Sequence, residues 1–169
     1  MKKHQQLIGL ALLLAGITGS AELLAHGDMQ KETHAAQAPV LKEQKDWGIA
    51  GDREQVSRSI EISMSDQMRF TPNQFEVKQG ETIRFVHRNQ GRMRHEFVLG
   101  TKPELDAHAA LMAKFPGMQH DEPFMAHVGP GKSGEIIWTF NRAGDFDFAC
   151  LMVGHYQAGM VGQVRVVTE

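Results

Sequence analysis

Short segments in which apolar and polar residues alternate dominate the chain after residue 58. The first, Ser59–Ser65, places Ile60, Ile62 and Met64 on one side of an extended backbone. An alternation with a period of two predicts a β-strand with one buried face. Turn residues, such as Gln79–Glu81, lie between such segments. Six further strands are predicted, at Phe75–Lys78, Thr82–Arg88, His95–Leu99, Ser133–Phe140, Asp145–Cys150 and Gly162–Val167.

One stretch departs from this pattern. Between Lys102 and Lys114 the residues on one face recur at helical spacing, so a short amphipathic helix is expected there. A long loop, Phe115–His127, follows and is interrupted by two prolines. About seven short strands with one helical insertion predict an all-β domain, a Greek-key β-sandwich over residues 58–169.

The first 25 residues have the character of a secretory signal peptide. Lys2 and Lys3 precede the apolar run Leu7–Ile17, and small residues follow it. A membrane anchor is the alternative, but the run is shorter than the roughly 20 residues that span a bilayer. We therefore expect export, with cleavage after Ala21 or Ala25 and no stable membrane insertion afterwards.

Residues 26–57 are rich in Gln, Lys, Glu, Ala and His and have no apolar period, which predicts a flexible leader. Within it, Trp47 and Ile49 are the candidates for docking on the domain. The formal net charge of the whole chain is -2, which excludes a strongly basic nucleic-acid binder and identifies no partner.

The single cysteine carries the most chemical information. Outside the cytoplasm a thiol normally forms a disulfide, but Cys150 has no partner within the chain. It starts the spacing Cys150-x4-His155-x4-Met160, with glycines directly before the histidine and the methionine. Thiolate, imidazole and thioether donors suit copper, and a His2Cys set with a distant Met is typical of electron-transfer copper sites. His95, at the start of an upstream strand, is the candidate for the second histidine.

Each candidate ligand also has an ordinary structural interpretation. Alone, His95 is equally consistent with a structural histidine, Met160 with core packing and Cys150 with an inert buried thiol. Together, at this spacing in an exported β protein, the residues favour a metal centre. Zinc is the rival metal, but structural zinc sites use Cys and His without a thioether. A site with no open position for a substrate predicts a protein that is not an enzyme.

The domain resembles the plastocyanin/azurin family of cupredoxins, and within it the exported cupredoxins linked to bacterial copper tolerance. The resemblance covers the domain but not the leader. It rests on four segments: Met68–Pro72, His95–Gly100, Phe115–Met118 and Cys150–Met160. It implies one type 1 copper in a periplasmic, monomeric protein, and it assigns the ligands as His95, Cys150, His155 and Met160.

Two functions are compatible with such a site. One is an electron shuttle between periplasmic redox proteins, and the other is copper handling that protects the cell. Extra Met and His residues favour copper handling, because a shuttle needs no further copper ligands. A second copper site is possible in the loop, at Met118, His120, Met125 and His127, or in the leader, at His26 with Met29 and His34. The alternative is that these methionines pack against the sandwich and the histidines are solvated.

Overall fold

The computed structural model describes residues 42–118 and 120–168. The predicted signal peptide and residues 26–41 of the predicted leader lie outside this range. One α-helix, a short 3-10 turn at Arg53–Gln55 and ten strands make up the described part. The elements are β1 (Ile49–Ala50), β2 (Arg58–Ser65), β3 (Arg69–Thr71), β4 (Gln74–Lys78), β5 (Thr82–Asn89), β6 (His95–Gly100), α1 (Lys102–Lys114), β7 (Met125–Val128), β8 (Ser133–Thr139), β9 (Gly144–Ala149) and β10 (Val161–Val167).

The strands form two five-stranded sheets. The first has the order β1-β8-β5-β2-β3 and the second β4-β10-β9-β6-β7. The β2–β5 and β4–β10 pairs are parallel, and the other neighbours are antiparallel. The inner faces of both sheets share one apolar core. The predicted β-sandwich with a single helical insertion is confirmed.

Helix α1 covers the outer face of the second sheet. Its bounds match the prediction, and Pro103 lies in its first turn, where a missing N–H has no cost. The buried residues Leu105, Ala109 and Met112 form a second apolar cluster with Val98 of β6. All six residues of β6 are buried, because the core covers one face of this strand and the helix side covers the other.

Three short strands, β1, β3 and β7, were not predicted from the sequence. In β7, Met125 packs in the helix-side cluster and Ala126 packs in the main core. Apolar side chains therefore point to both faces, and the alternation that predicts a strand is lost. Strand β3 has three residues and pairs with β2 alone, which is too short for a periodic pattern.

The domain was predicted to start at residue 58. The packed part of the chain begins earlier, at the segment around Trp47. Trp47 is 3% exposed, and its ring lies 6.5 Å from that of Trp138 and 5.4 Å from that of Phe124. The Trp138 indole N–H donates a hydrogen bond of 2.8 Å to the Trp47 carbonyl oxygen. Burial of a large aromatic side chain holds this segment on the sandwich, with β1 paired to β8. No helix among residues 42–118 and 120–168 is long and apolar enough to span a membrane.

His87 is a polar residue inside the core. It follows Ile83 and Phe85 on the inner face of β5, and its ring centroid lies 4.3 Å from that of Phe97. Neither ring nitrogen has a hydrogen-bond partner of good geometry within the described part of the chain. Burial lowers the pKa of His87 to about 3, because the charged imidazolium is poorly solvated there.

The buried His87 is expected to lower the stability of the protein as the pH is lowered from about 6.5 toward 3. In the unfolded chain the imidazole takes up a proton below about pH 6.5, whereas the folded protein resists protonation down to about pH 3. Each pH unit in this window costs about 1.4 kcal/mol of unfolding free energy, or about 2 kcal/mol between pH 6.5 and 5. His87→Phe removes this dependence. Urea unfolding of the metal-free parent and variant at both pH values measures the effect. If the difference in unfolding free energy between variant and parent were the same at both pH values, the role given to His87 would be refuted.

Candidate metal centre

The neighbouring strands β6 and β9 bring the predicted ligands to one end of the sandwich. His95 is the first residue of β6, and Cys150 directly follows β9. The loop from Cys150 to Met160 closes on itself through hydrogen bonds. The Cys150 N–H donates to the Met160 carbonyl oxygen at 3.0 Å, and the Met160 N–H donates to the His155 carbonyl oxygen at 3.1 Å. Gly154 and Gly159 adopt φ angles of +89° and +86°, a region that glycine tolerates best.

Three of the four predicted ligands meet there. Donor atoms of His95, Cys150 and His155 all lie within 4.8 Å of one another, and no other three His, Cys, Asp or Glu residues in the described part of the chain do so. The Cys150 Sγ is 3.3 Å from His155 Nδ1, and the two imidazole centroids are 5.0 Å apart. Met160 is fully buried in the same core cluster as Cys150.

The chemistry of the donor set fits a metal ion. The His95 side chain is fully buried, and its Nδ1 has no hydrogen-bond partner among residues 42–118 and 120–168. A buried nitrogen without a partner is costly unless something binds it. The other nitrogen, Nε2, is 3.1 Å from Asp66 Oδ1. A carboxylate behind a ligating histidine is the usual arrangement at metal sites, so Nδ1 is the atom that faces the metal position.

Comparison with known proteins agrees with this geometry. Residues 56–167 match the model of the copper-binding proteins of the plastocyanin/azurin family. The chain belongs to this cupredoxin family. A solved structure of dithionite-reduced auracyanin from Roseiflexus castenholzii, 24% identical, superposes with a TM-score of 0.57 over 66% of this chain and 98% of that one. This likeness confirms the cupredoxin fold.

Three relatives carry the name copper-resistant cuproprotein CopI. The protein from Rubrivivax gelatinosus is 48% identical over 141 residues, which are 83% of this chain and 82% of the relative. The protein from Pseudomonas aeruginosa is 40% identical over 149 residues, which are 71% of this chain and 82% of the relative. The resemblance to copper-tolerance cupredoxins is thereby confirmed.

Asp66 is a candidate positioning residue that was not predicted from the sequence. It lies in the turn after β2, where an aspartate is ordinary, so nothing in the pattern distinguished it. Its carboxylate accepts hydrogen bonds from the Arg92 N–H at 2.7 Å and the Met93 N–H at 3.2 Å. The Arg92 N–H above all, with further help from Met93 and His95, keeps the pKa of Asp66 below its usual value against the opposing effect of burial. The carboxylate is thus held ionised behind His95.

Asp66→Asn is expected to weaken Cu(II) binding about 10- to 100-fold, the usual effect of losing a carboxylate behind a histidine ligand. The negative charge favours Cu(II) over Cu(I), so the reduction potential should also rise. Competition with a chelator and voltammetry measure the two effects. Asp145→Asn, at an exposed ion pair with Arg165, is the matched control. Equal affinity and potential in Asp66→Asn and the parent would contradict this positioning role.

The surroundings of Cys150 keep its thiol protonated unless a cation binds. Burial raises its pKa to about 12, and the Glu96 carboxylate adds to the rise. The Glu96 backbone N–H opposes this by donating to Sγ at 3.3 Å. In the metal-free protein the thiol is therefore protonated, and a thiolate forms there with a metal ion as its counter-charge.

Proposed function

We propose that this cupredoxin is a periplasmic type 1 copper protein that serves copper tolerance, with one copper held by His95, Cys150, His155 and Met160. The observation that carries the proposal is the convergence of donor atoms of His95, Cys150 and His155 within 4.8 Å. The buried Nδ1 of His95, which has no hydrogen-bond partner in the described part of the chain, supports it. The names of the three CopI relatives support the tolerance role.

The bound copper would supply one-electron exchange between Cu(II) and Cu(I). The chain supplies fixed ligands and a dry environment. His95, Cys150 and Met160 are each 0% exposed, so the backbone and core fix their positions and exclude water. Imidazole nitrogens suit Cu(II) and sulfur suits Cu(I), so this mixed set serves both states with little rearrangement. Four protein ligands would leave no open coordination position for a substrate, and we propose that the protein is not an enzyme.

A dedicated electron shuttle is the second candidate function. His155 is the one predicted ligand that is partly exposed, and next to it on the ligand loop Val153 is 56% exposed. An exposed ligand edge among apolar residues allows close approach of a redox partner.

We propose that the protein is a monomer whose partners are periplasmic redox or copper-handling proteins and do not include nucleic acid.

Gene deletion separates the two functions. We expect the deletion strain to lose growth on graded copper while its respiratory rate without added copper is unchanged, and the wild-type gene to restore growth. The gene encoding Cys150→Ser should fail to restore it, and the gene encoding the exposed loop variant Val153→Ala should succeed. A fall in respiration without copper sensitivity would favour the shuttle.

Release of the protein by osmotic shock, without its first 21 or 25 residues, tests its location.

A further inference from the structure

A second group of histidines lies away from the predicted type 1 ligands, on the outer face of the second sheet. His127 is on β7 and points to the same face as Met125, toward the helix-side cluster. His108 is on α1, which covers this face, and His120 is on the loop that joins the two elements. The fold thus brings three imidazoles from three elements to one place.

Short distances link these three residues. The ring centroids of His108 and His120 are 4.9 Å apart. The His127 Nε2 is 2.9 Å from the His120 carbonyl oxygen and 3.5 Å from Asp121 Oδ1. Burial lowers the pKa of His108, and the nearby His120 and His127 lower it further. A neutral imidazole is the form that binds a metal ion.

Glu96 gives His127 the orientation of a metal ligand. The Glu96 side chain is buried under the loop, directly across the β6–β7 pair from His127, and its Oε1 lies 3.2 Å from His127 Nδ1. The contact has the distance of an ion pair but not the alignment of a hydrogen bond. A carboxylate facing one ring nitrogen while the other faces a cluster of donors is the arrangement behind most ligating histidines. Nε2 of His127 is then the atom turned toward His120 and Asp121. In the metal-free protein this nitrogen donates a hydrogen bond to the His120 carbonyl oxygen, which the metal ion must replace.

We propose that His108, His120 and His127 form a second Cu(II) site, with Asp121 as an oxygen ligand and Glu96 as the residue that positions His127. Three imidazoles and a carboxylate suit Cu(II), which also binds such donors more tightly than the other divalent first-row metals. The two methionines that the sequence analysis assigned to a loop site do not belong to it. Met125 is buried in the helix-side cluster and Met118 packs against that cluster.

The donors must draw together to bind the ion, because within residues 42–118 and 120–168 only the type 1 set has three donor atoms within 4.8 Å. His120 and Asp121 lie on a loop, and the Asp121 side chain is 97% exposed, so both are free to turn. The His108 ring is half-buried on the helix surface and requires only side-chain rotation. His127 and Glu96 are fixed by the sheet and provide the rigid part of the site.

Copper titration of the purified protein tests the site. Cu(II) is first added until the visible absorption of the type 1 site is constant. A second equivalent is then added, and its binding is measured by equilibrium dialysis and electron paramagnetic resonance. We expect stoichiometric binding of the second ion, with a tetragonal signal from nitrogen donors. The variant His108→Ala/His120→Ala should lose the second ion and keep the first, whose colour shows that the variant is folded. Glu96→Gln should lower the affinity for the second ion about 10- to 100-fold.

The matched control is His26→Ala/His34→Ala, which removes the histidines of the predicted leader. This variant should still bind the second ion. Loss of the second ion in this control, with retention in His108→Ala/His120→Ala, would overturn the proposal and place the copper on the leader. Absence of stoichiometric binding in the parent protein would overturn it as well. Dialysis counts ions whether or not the protein is coloured, so failure of the type 1 assignment is recognised separately from failure of the second site.

Discussion

Cys150→Ser is expected to abolish the intense blue to green colour of the copper-loaded protein. The colour arises from charge transfer between a thiolate and Cu(II), and Cys150 is the single cysteine in the chain. Serine is nearly isosteric but is a poor ligand, because its hydroxyl does not ionise at neutral pH. Visible absorption after addition of one equivalent of Cu(II), with the copper content measured on the same sample, gives the result.

The variant also has a structural control. Cys150 is buried among core residues, and its backbone N–H holds the ligand loop through the Met160 carbonyl oxygen, which serine preserves. Far-ultraviolet circular dichroism of the metal-free proteins should therefore be the same for variant and parent. Val153→Ala, at an exposed position of the same loop, should keep full colour. An intense band in a folded, copper-loaded Cys150→Ser protein would refute the type 1 assignment.

The convergence of His95, Cys150 and His155 is the part of the candidate site that the sequence could predict. Cys150, His155 and Met160 share one short loop, so their spacing along the chain carries their proximity in space. His95 is distant in sequence, but it starts a strand next to the one that ends before Cys150. Strands with one buried face, such as Ser59–Ser65, were likewise visible in the alternation of side chains.

Residues whose role depends on tertiary contacts were beyond the sequence. Asp66 is 29 residues from His95, and only the packing of the turn after β2 against the segment before β6 brings the two together. Trp47 lies in a segment without periodicity, and its partner Trp138 is 91 residues away. Strand β7 has apolar residues on both faces because α1 covers the sheet. In each case the contact that fixes the residue's position joins segments far apart in the chain. A local sequence pattern therefore cannot predict it.

The two predicted copper positions share one residue between them. The Glu96 backbone N–H contacts the Cys150 sulfur, and the Glu96 carboxylate contacts His127. Successive residues of a strand point to opposite faces, so His95 on the inner face and Glu96 on the outer face follow from adjacency in β6. Strand β6 therefore orients groups toward both predicted copper positions. A substitution at Glu96 is expected to affect copper binding at each of them.

Copper uptake is expected to release about one proton from the Cys150 thiol. Burial raises the pKa of this thiol to about 12, so at pH 7.5 it is protonated in the metal-free protein, whereas the metal binds the thiolate. His155 adds no proton at this pH, because burial and the nearby His95 lower its pKa and the ring is already neutral. Affinity should therefore rise about tenfold per pH unit, or about 100-fold from pH 7 to 9.

Addition of one equivalent of Cu(II) to weakly buffered protein with a pH indicator measures this proton directly. Chelator competition at pH 7, 8 and 9 then measures the slope of affinity against pH. The sign follows from the linkage: protons compete with copper for the sulfur at every pH below 12, so acid weakens binding and alkali strengthens it. Cys150→Ser, which has no thiol to ionise, should show a flat profile over the same range. A flat profile in the parent protein would mean that the sulfur is already ionised without metal or does not bind it, and the colour of the loaded protein separates these two outcomes.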